Sequence, residues 1–216
     1  MHIPDSFIPL PQAAVYWLLA IIFIALAFKW AREELDEDKI PLVAVLAAGI
    51  FALQVFHLPV GMGTSGHLVG GALAAIALGS PYGAVFIMTI LLIIQGVIFG
   101  DGGITTIGAN ILNIGVIGGF VGFSSYQGLK FVIKNAYISA GIAAWFACFI
   151  TAAACSIELA ITGTFPLIAG MTAMVLYHAV IGLVEGIITA VALYLIHYAR
   201  PDLLPLNEKS DMEAPV

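Results

Sequence analysis

The sequence predicts an all-α fold: an integral membrane bundle of seven transmembrane helices in one domain over residues 1–216. The N-terminus is expected outside and the C-terminus in the cytoplasm. Three observations predict this. Apolar residues make up 62% of the chain and charged residues only 9%, where a soluble domain carries roughly 25% charged residues. Mean hydropathy is +1.09, more apolar surface than one soluble core absorbs, so lipid is part of the solvent. When seven spans are drawn, every lysine and arginine falls on one side. The net charge of −6 gathers in short acidic loops and the tail. Nothing in it resembles a basic nucleic-acid face, so no nucleic-acid partner is expected.

Residues 1–10 read as an outward tail. The first span, about 11–31, carries its basic residues Lys29 and Arg32 at the far end. A cleaved signal peptide has the reverse order, so this segment is expected to stay as a helix. Glu33-Glu34-Leu35-Asp36-Glu37-Asp38 is a solvated loop. The second span, about 41–57, starts at Pro41, the third, about 66–79, is short, and the fourth, about 83–99, follows Pro81. Proline is tolerated at helix starts. The fifth, about 108–123, is glycine-rich; the sixth, about 136–162, holds Cys148 and Cys155. Seven residues of helix separate those thiols by about 10 Å, too far for a disulfide, so they read as buried apolar fillers. The seventh, about 167–198 after Pro166, exceeds what a bilayer needs and should tilt or protrude. Residues 199–216 form a cytoplasmic tail.

This count places Lys29, Arg32, Lys39, Lys130, Lys134, Arg200 and Lys209 on one side. The positive-inside rule makes that side cytoplasmic. Small residues recur at every fourth position, Ala44, Ala48 and Ala52 in span two and Gly66, Gly70 and Ala74 in span three. Such spacing lets helices approach closely in lipid. It fits internal packing, and in span two it equally fits the docking of another membrane subunit.

Met1-His2 is a ready-made chelator. The Met1 amine, the His2 amide nitrogen and the His2 imidazole close two fused rings with three nitrogens nearly in one plane. One further imidazole completes a square that suits Ni(II) or Cu(II). A large second residue favours retention of the initiator methionine, so the amine is expected to survive. His67 lies on the same outer side and is the candidate fourth ligand. It follows the small-residue run 61–66, and an ionisable residue at a membrane-buried helix end is a functional candidate by default. His57 ends span two near the same level. His197 sits at the inner end as an interface histidine. His178, Gly182 and Glu185 share one face of span seven. They read either as a hydrogen-bonded pair holding helices together or as a relay beneath an ion site. Asp101 is either a solvated loop residue or a cation attractor at the outer mouth. Asn110 and Asn113 read as pocket supports or as packing residues. Gly63-Thr64-Ser65-Gly66 also matches the nucleophile motif of intramembrane proteases, and a Ser65–His178 dyad would suffice for one. No phosphate-binding GxxxxGK[ST] pattern occurs, so any ATP-driven step belongs to another chain.

Met1-His2-Ile3-Pro4-Asp5, Gly-Thr-Ser-Gly-His67, the Gly-rich stretch 100–122 and the stretch from His178 through Glu185 to Gly186 together resemble a known family. It is the substrate-binding membrane subunit of nickel/cobalt energy-coupling-factor transporters, of the CbiM/NikM type. The resemblance covers nearly the whole chain. It implies a six-helix binding unit plus one extra N-terminal helix, with the tail folded back into the bundle. It implies metal held by the Met1 amine, the His2 amide nitrogen, the His2 ring and the His67 ring. It implies partners too: a transmembrane coupling subunit contacted through an AxxxA stripe, cytoplasmic ATPases and often a small extra membrane subunit. Ser6 departs from the pattern, since family members commonly have Gly there.

The expected function is capture of Ni(II) or Co(II) at the outer side of a prokaryotic cytoplasmic membrane, for ATP-driven uptake by partner subunits. No organic cofactor and no catalysis by this chain are expected. His57, Ser65, Asp101, Asn110, His178 and Glu185 are expected to support the ion from behind its ligands. A serine protease using Ser65 and His178 and a stand-alone metal channel are the alternatives. The square-planar argument favours nickel.

Overall fold

The computed structural model describes residues 1–61 and 64–205. Met62 and Gly63, the latter the first residue of the protease-like motif, lie outside the described residues. So do Lys209 and the rest of the expected tail from 206 onward.

Seven helices of eight or more residues occur among the described residues: α1 (Leu10–Glu34), α2 (Ile40–Gln54), α3 (Gly71–Leu78), α4 (Pro81–Ile98), α5 (Ile107–Lys130), α6 (Ala136–Ile161) and α7 (Leu167–Ala199). Five of them, α1, α4, α5, α6 and α7, are long and apolar enough to cross a membrane. At 15 and 8 residues, α2 and α3 rise only about 22 Å and 12 Å, short of a hydrocarbon core of about 30 Å.

The stretch between them corrects the sequence reading twice. The stretch expected as a loop over 58–65 forms a two-stranded antiparallel hairpin, β1 (Leu58–Gly61) and β2 (Thr64–Gly66), pairing Leu58 with Gly66 and Pro59 with Ser65, and the helix expected from 66 starts only at Gly71. Among the described residues, all regular structure is therefore helical except for this hairpin. Gly66 and Gly70 are not part of a helical small-residue stripe. Gly66 lies in β2, and Gly70 caps α3 with φ of 75°, a left-handed conformation that glycine adopts without penalty. Irregular backbone of this kind is tolerated at membrane depth only where protein covers it, and residues 66, 67, 69 and 70 are all buried.

All eight residues of α3 are buried, so the shortest helix is the central post. It packs against α4, α5, α6 and α7. In contrast α1 buries only Ala13, Ala20, Ala27 and Trp30 and lies on the periphery, against α4 and α5. Within α5 the backbone is π-helical over Ile111–Ile117, a local widening that often marks functional positions.

The chain ends and loops gather at two poles. At one pole Trp17 Nε1 donates to the Thr105 carbonyl (3.0 Å), and Thr164 Oγ1 donates to the Phe7 carbonyl (2.8 Å). At the other, the Pro205 side chain lies against Gly79. Lys29, Arg32, Lys39, Lys130, Lys134 and Arg200 all lie at or near helix ends of this second pole.

Candidate metal site

At the first pole the chain folds its own beginning into the bundle. Met1, His2 and Ile3 are 2%, 9% and 1% exposed. The N-terminal nitrogen donates to the Ser65 carbonyl at 2.6 Å, and the His2 amide donates to His67 Nε2 at 3.2 Å. Nδ1 of His67 lies 2.8 Å from the Leu68 carbonyl. With the Nδ1 proton donated there, Nε2 carries the free lone pair, turned toward His2.

Anchors from elsewhere hold this tail. The Ile3 amide donates to Asn110 Oδ1 (2.9 Å), and the Ile3 carbonyl accepts from Asn110 Nδ2 (3.3 Å), the Gly103 amide (3.0 Å) and Thr106 Oγ1. Asp5 accepts from the amides of Ile104 (3.1 Å) and Thr105 (2.9 Å) and from Thr105 Oγ1 (2.6 Å). These Thr105 bonds hold its carboxyl below the usual range. A β-carbon on Gly103 would overlap the Asp5 backbone, so only glycine allows this approach.

Three imidazoles converge at the mouth. His2, His57 and His67 each offer one ligand atom, all within 4.8 Å of one another. The His2 and His67 rings stack with centroids 4.2 Å apart. His2 Nδ1 lies 3.1 Å and His57 Nε2 lies 3.5 Å from Asp101 Oδ1. The His2 contact is close but badly directed for a hydrogen bond. Both of its ring nitrogens are buried without a hydrogen-bond partner among the described residues. A buried polar atom of this kind calls for an explanation, and an ion between the rings supplies one. Burial lowers the Met1 amine to about 6 and also depresses the His2 ring, which leaves both as neutral donors at neutral pH. Burial pushes Asp101 up, but the His2 contact and the interaction with the His2 ring and the N-terminal amine, which carry protons in the acid range where a carboxyl titrates, outweigh it and hold the carboxyl below its ordinary value.

The loop after His67 is held through its backbone. Glu185 on α7 accepts from the amides of Val69 (2.7 Å) and Gly70 (2.9 Å). Gln54 on α2 donates to the Val69 carbonyl (2.7 Å) and accepts from Gln95 on α4 (3.0 Å). His178 and Glu185 are thus not bonded to each other as a pair. His178 Nδ1 contacts the Met174 carbonyl in its own helix (2.7 Å), and its buried Nε2 has no hydrogen-bond partner among the described residues. No hydrogen bond joins Ser65 to His178, so the protease dyad is not assembled. Asn113 donates to Glu158 (2.6 Å). Sequence reasoning missed Gln54, Gln95, Thr106 and Glu158. The signal for three of them was a polar side chain inside an otherwise apolar helix.

The stripe of Ala44, Ala48 and Ala52 is exposed on α2, opposite its buried face of Leu42, Leu46, Ile50 and Gln54. Packing inside this chain does not account for it. Cys148 and Cys155 are buried and free, as expected.

Comparison with known proteins follows the same lines. Residues 2–203 match the family model described as the cobalt uptake substrate-specific transmembrane region. The chain is 32% identical over 214 residues to the cobalt transport protein CbiM of Sorangium cellulosum, covering 94% of each chain. It is 32% identical over 222 residues to the fused nickel transport protein NikMN of Rhodobacter capsulatus, covering 94% of this chain and 64% of that one. A solved structure described as a truncated transition metal transporter superposes with a TM-score of 0.87 at 30% identity, over 92% of this chain and 99% of that one. The chain belongs to the CbiM family and is a membrane component of cobalt and nickel transport rather than an enzyme.

Proposed function

We propose that this chain captures Ni(II) or Co(II) at the outer face of a prokaryotic cytoplasmic membrane and presents it for ATP-driven uptake. The ion is held by the Met1 amine, the His2 amide nitrogen, the His2 ring and the His67 ring, and no organic cofactor takes part. The observation that carries this reading is the docked N-terminus: the His2 amide 3.2 Å from His67 Nε2, with the two rings stacked beside it. Three nitrogens of Met1-His2 then share one site with a fourth from the segment that follows the hairpin. The ion's binding energy is spent on ligands that the fold already brings together.

In this reading the seven helical segments form one transmembrane domain with its N-terminus outside. Support comes from the basic residues, which crowd the pole opposite the histidines. The sequence carries no GxxxxGK[ST] pattern, so energy comes from ATPase subunits through a transmembrane coupling subunit docked on Ala44, Ala48 and Ala52. A small extra membrane subunit completes the complex. The fused relative, of which this chain covers 64%, supports a partner segment. No observation favours a stand-alone channel.

The test is metal affinity of the purified full chain. His2→Ala and His67→Ala should each remove high-affinity binding. One Ala inserted between Met1 and His2 should do the same, because it enlarges a chelate ring and carries His2 roughly 3.5 Å along the chain. The same insertion after Asp5 should be gentler. Near-normal affinity in His67→Ala sinks the ligand assignment, and equal losses from the two insertions mean that the tail only plugs the bundle.

A further inference from the structure

A groove of about 890 Å³ opens at the basic pole, between α1 and α2, with α4 as its floor. We propose that it holds an anionic phospholipid, with the phosphate on Lys29 and Arg32 and the hydrocarbon tails between the helices. The inference makes no use of the metal site. It takes from the reading above only that the basic pole faces the cytoplasm, which makes the lipid one of the cytoplasmic leaflet.

Length comes first. On α1 the groove runs from Leu35 near the pole to Ala25 inside. The helix rises about 15 Å between them, half of a hydrocarbon core of about 30 Å. On α2 and α4, which both start at that pole, it ends at Ala47 and Ile90. The groove is therefore one leaflet deep. A partner helix that spans the membrane needs about 20 apolar residues across both leaflets, and this groove would guide only half of it. The tails of one lipid match its length, and its volume lies within the about 300–1,000 Å³ of small-molecule pockets.

Charge comes next. Ala25, Lys29 and Arg32 follow one another at i, i+4 and i+7, so they share a face of α1, and both cations stand at the polar end of the groove. No carboxylate lines it, although the acidic run from Glu33 to Asp38 is close in sequence. Neither cation pairs with a carboxylate among the described residues. At the same pole Lys39 pairs with Asp36 and Arg200 with Asp202. Basic pockets between membrane helices on the cytoplasmic side suit anionic headgroups, and the planar guanidinium of Arg32 can bind two phosphate oxygens at once. Deeper in, the lining is apolar. Phe28 and Phe86 meet edge to face at 5.1 Å, and Phe28, Ile40 and Ile90 stay exposed in the chain alone.

The seat has a structural consequence. Helices α1 and α2 each pack on α4, and the groove separates them from each other. A lipid between them joins the peripheral α1 to α2. Ala44 borders both the groove and the exposed alanine stripe, while Ala48 and Ala52 lie outside the groove. The lipid therefore sits beside a subunit docked on that stripe, not beneath it.

The experiment titrates the purified full chain in detergent with phosphatidylglycerol or with phosphatidylcholine of the same chains, and counts bound lipid by native mass spectrometry. Wild type should hold one phosphatidylglycerol about 30-fold more tightly than phosphatidylcholine, at about fivefold for each cation near a membrane surface. Phosphatidylglycerol should also raise its melting temperature. Lys29→Gln combined with Arg32→Gln should lose both the preference and the stabilisation. Lys130→Gln combined with Lys134→Gln, which removes cations of the same pole outside the groove, should keep them. Ala47→Phe, which fills the apolar wall, should weaken both lipids and leave the preference intact. Equal binding of the two lipids by wild type overturns the inference. So does a preference that survives loss of Lys29 and Arg32, or one lost equally with Lys130 and Lys134, which would be general attraction to a basic pole. If Ala47→Phe leaves lipid binding unchanged and breaks co-purification with the coupling subunit, a partner helix fills the groove and the inference falls. None of these outcomes touches the capture reading, which His67→Ala tests separately.

Discussion

The backbone of Ile3 uses both its amide and its carbonyl on Asn110, Thr106 and Gly103, residues 100 or more positions away in sequence. This is how a tail that begins as free chain becomes part of a binding site. The next residues continue the grip. Asp5 ties to Ile104 and Thr105, and Ser6 turns the chain with φ of 73°. That conformation costs a residue with a β-carbon roughly 1–2 kcal/mol, a cost that a glycine at this position would avoid. Met1-His2 stood out as a candidate chelator from two adjacent residues, because that is local chemistry, and His67 as a candidate from side and depth; that the two meet is visible only in the fold. Asn110 was read as a pocket support, but Thr106 was not noticed, since nothing local marks a hydroxyl that reaches a carbonyl 103 residues away. Asn110→Ala should show the strength of this grip. It strands the buried Ile3 amide, at a cost of about 1–3 kcal/mol, which appears as roughly a 5–150-fold weaker Ni(II) affinity. His197→Ala, at the other pole, is the control. Unchanged affinity in Asn110→Ala would mean that the tail docks without this anchor.

At the level of elements, the long helices were read to within three residues, and the regular apolar runs explain why, except that α5 runs on to Lys130, seven residues past its expected end. The short stretch from Val55 to Gly70 was misread. Its composition, rich in small residues and valine, is compatible with a helix start, a hairpin or a loop. What decides is tertiary: Glu185 and Gln54 satisfy the backbone of Val69 and Gly70 that a helix would otherwise bond internally. The sequence left Glu185 open as a helix-pairing residue or part of an ion relay, and its real partners are amides, which leave no trace in a residue pattern. The opposite holds for α2. Its Ala44-Ala48-Ala52 spacing was visible, but only the fold shows the stripe facing outward. An exposed small-residue stripe allows a partner helix to approach backbone to backbone. Ala48→Trp should therefore break co-purification with the coupling subunit while Ni(II) affinity of the isolated chain stays unchanged. If the variant instead fails to fold, or co-purifies normally, α2 is not the docking face.

For the whole molecule, one arrangement matters most: the N-terminal amine is buried in its own bundle, beside Ser65 and the histidines. This makes the proton balance of capture predictable. A free α-amine titrates at about 7.7–8.0, but burial lowers the docked Met1 amine to about 6 and depresses the His2 ring as well. At pH 7 both are already neutral, so metal binding does not have to remove their protons. The His2 amide proton remains, and only the metal can displace it. One proton released per ion means that affinity falls about tenfold for each unit of pH between roughly 8 and 6. Below about 6 the amine gains a proton in the metal-free chain, and it must be lost again on binding, so the fall becomes steeper. A tail that stays undocked until metal arrives behaves differently. Its amine is protonated up to about 8, and close to two protons leave per ion at pH 7. Calorimetric titration with Ni(II) in two buffers of different ionisation enthalpy counts these protons directly. A count near one at pH 7, rising below pH 6, is expected for a site that the fold assembles before the ion arrives. A count near two at pH 7 would show that the ion itself pulls the tail into place.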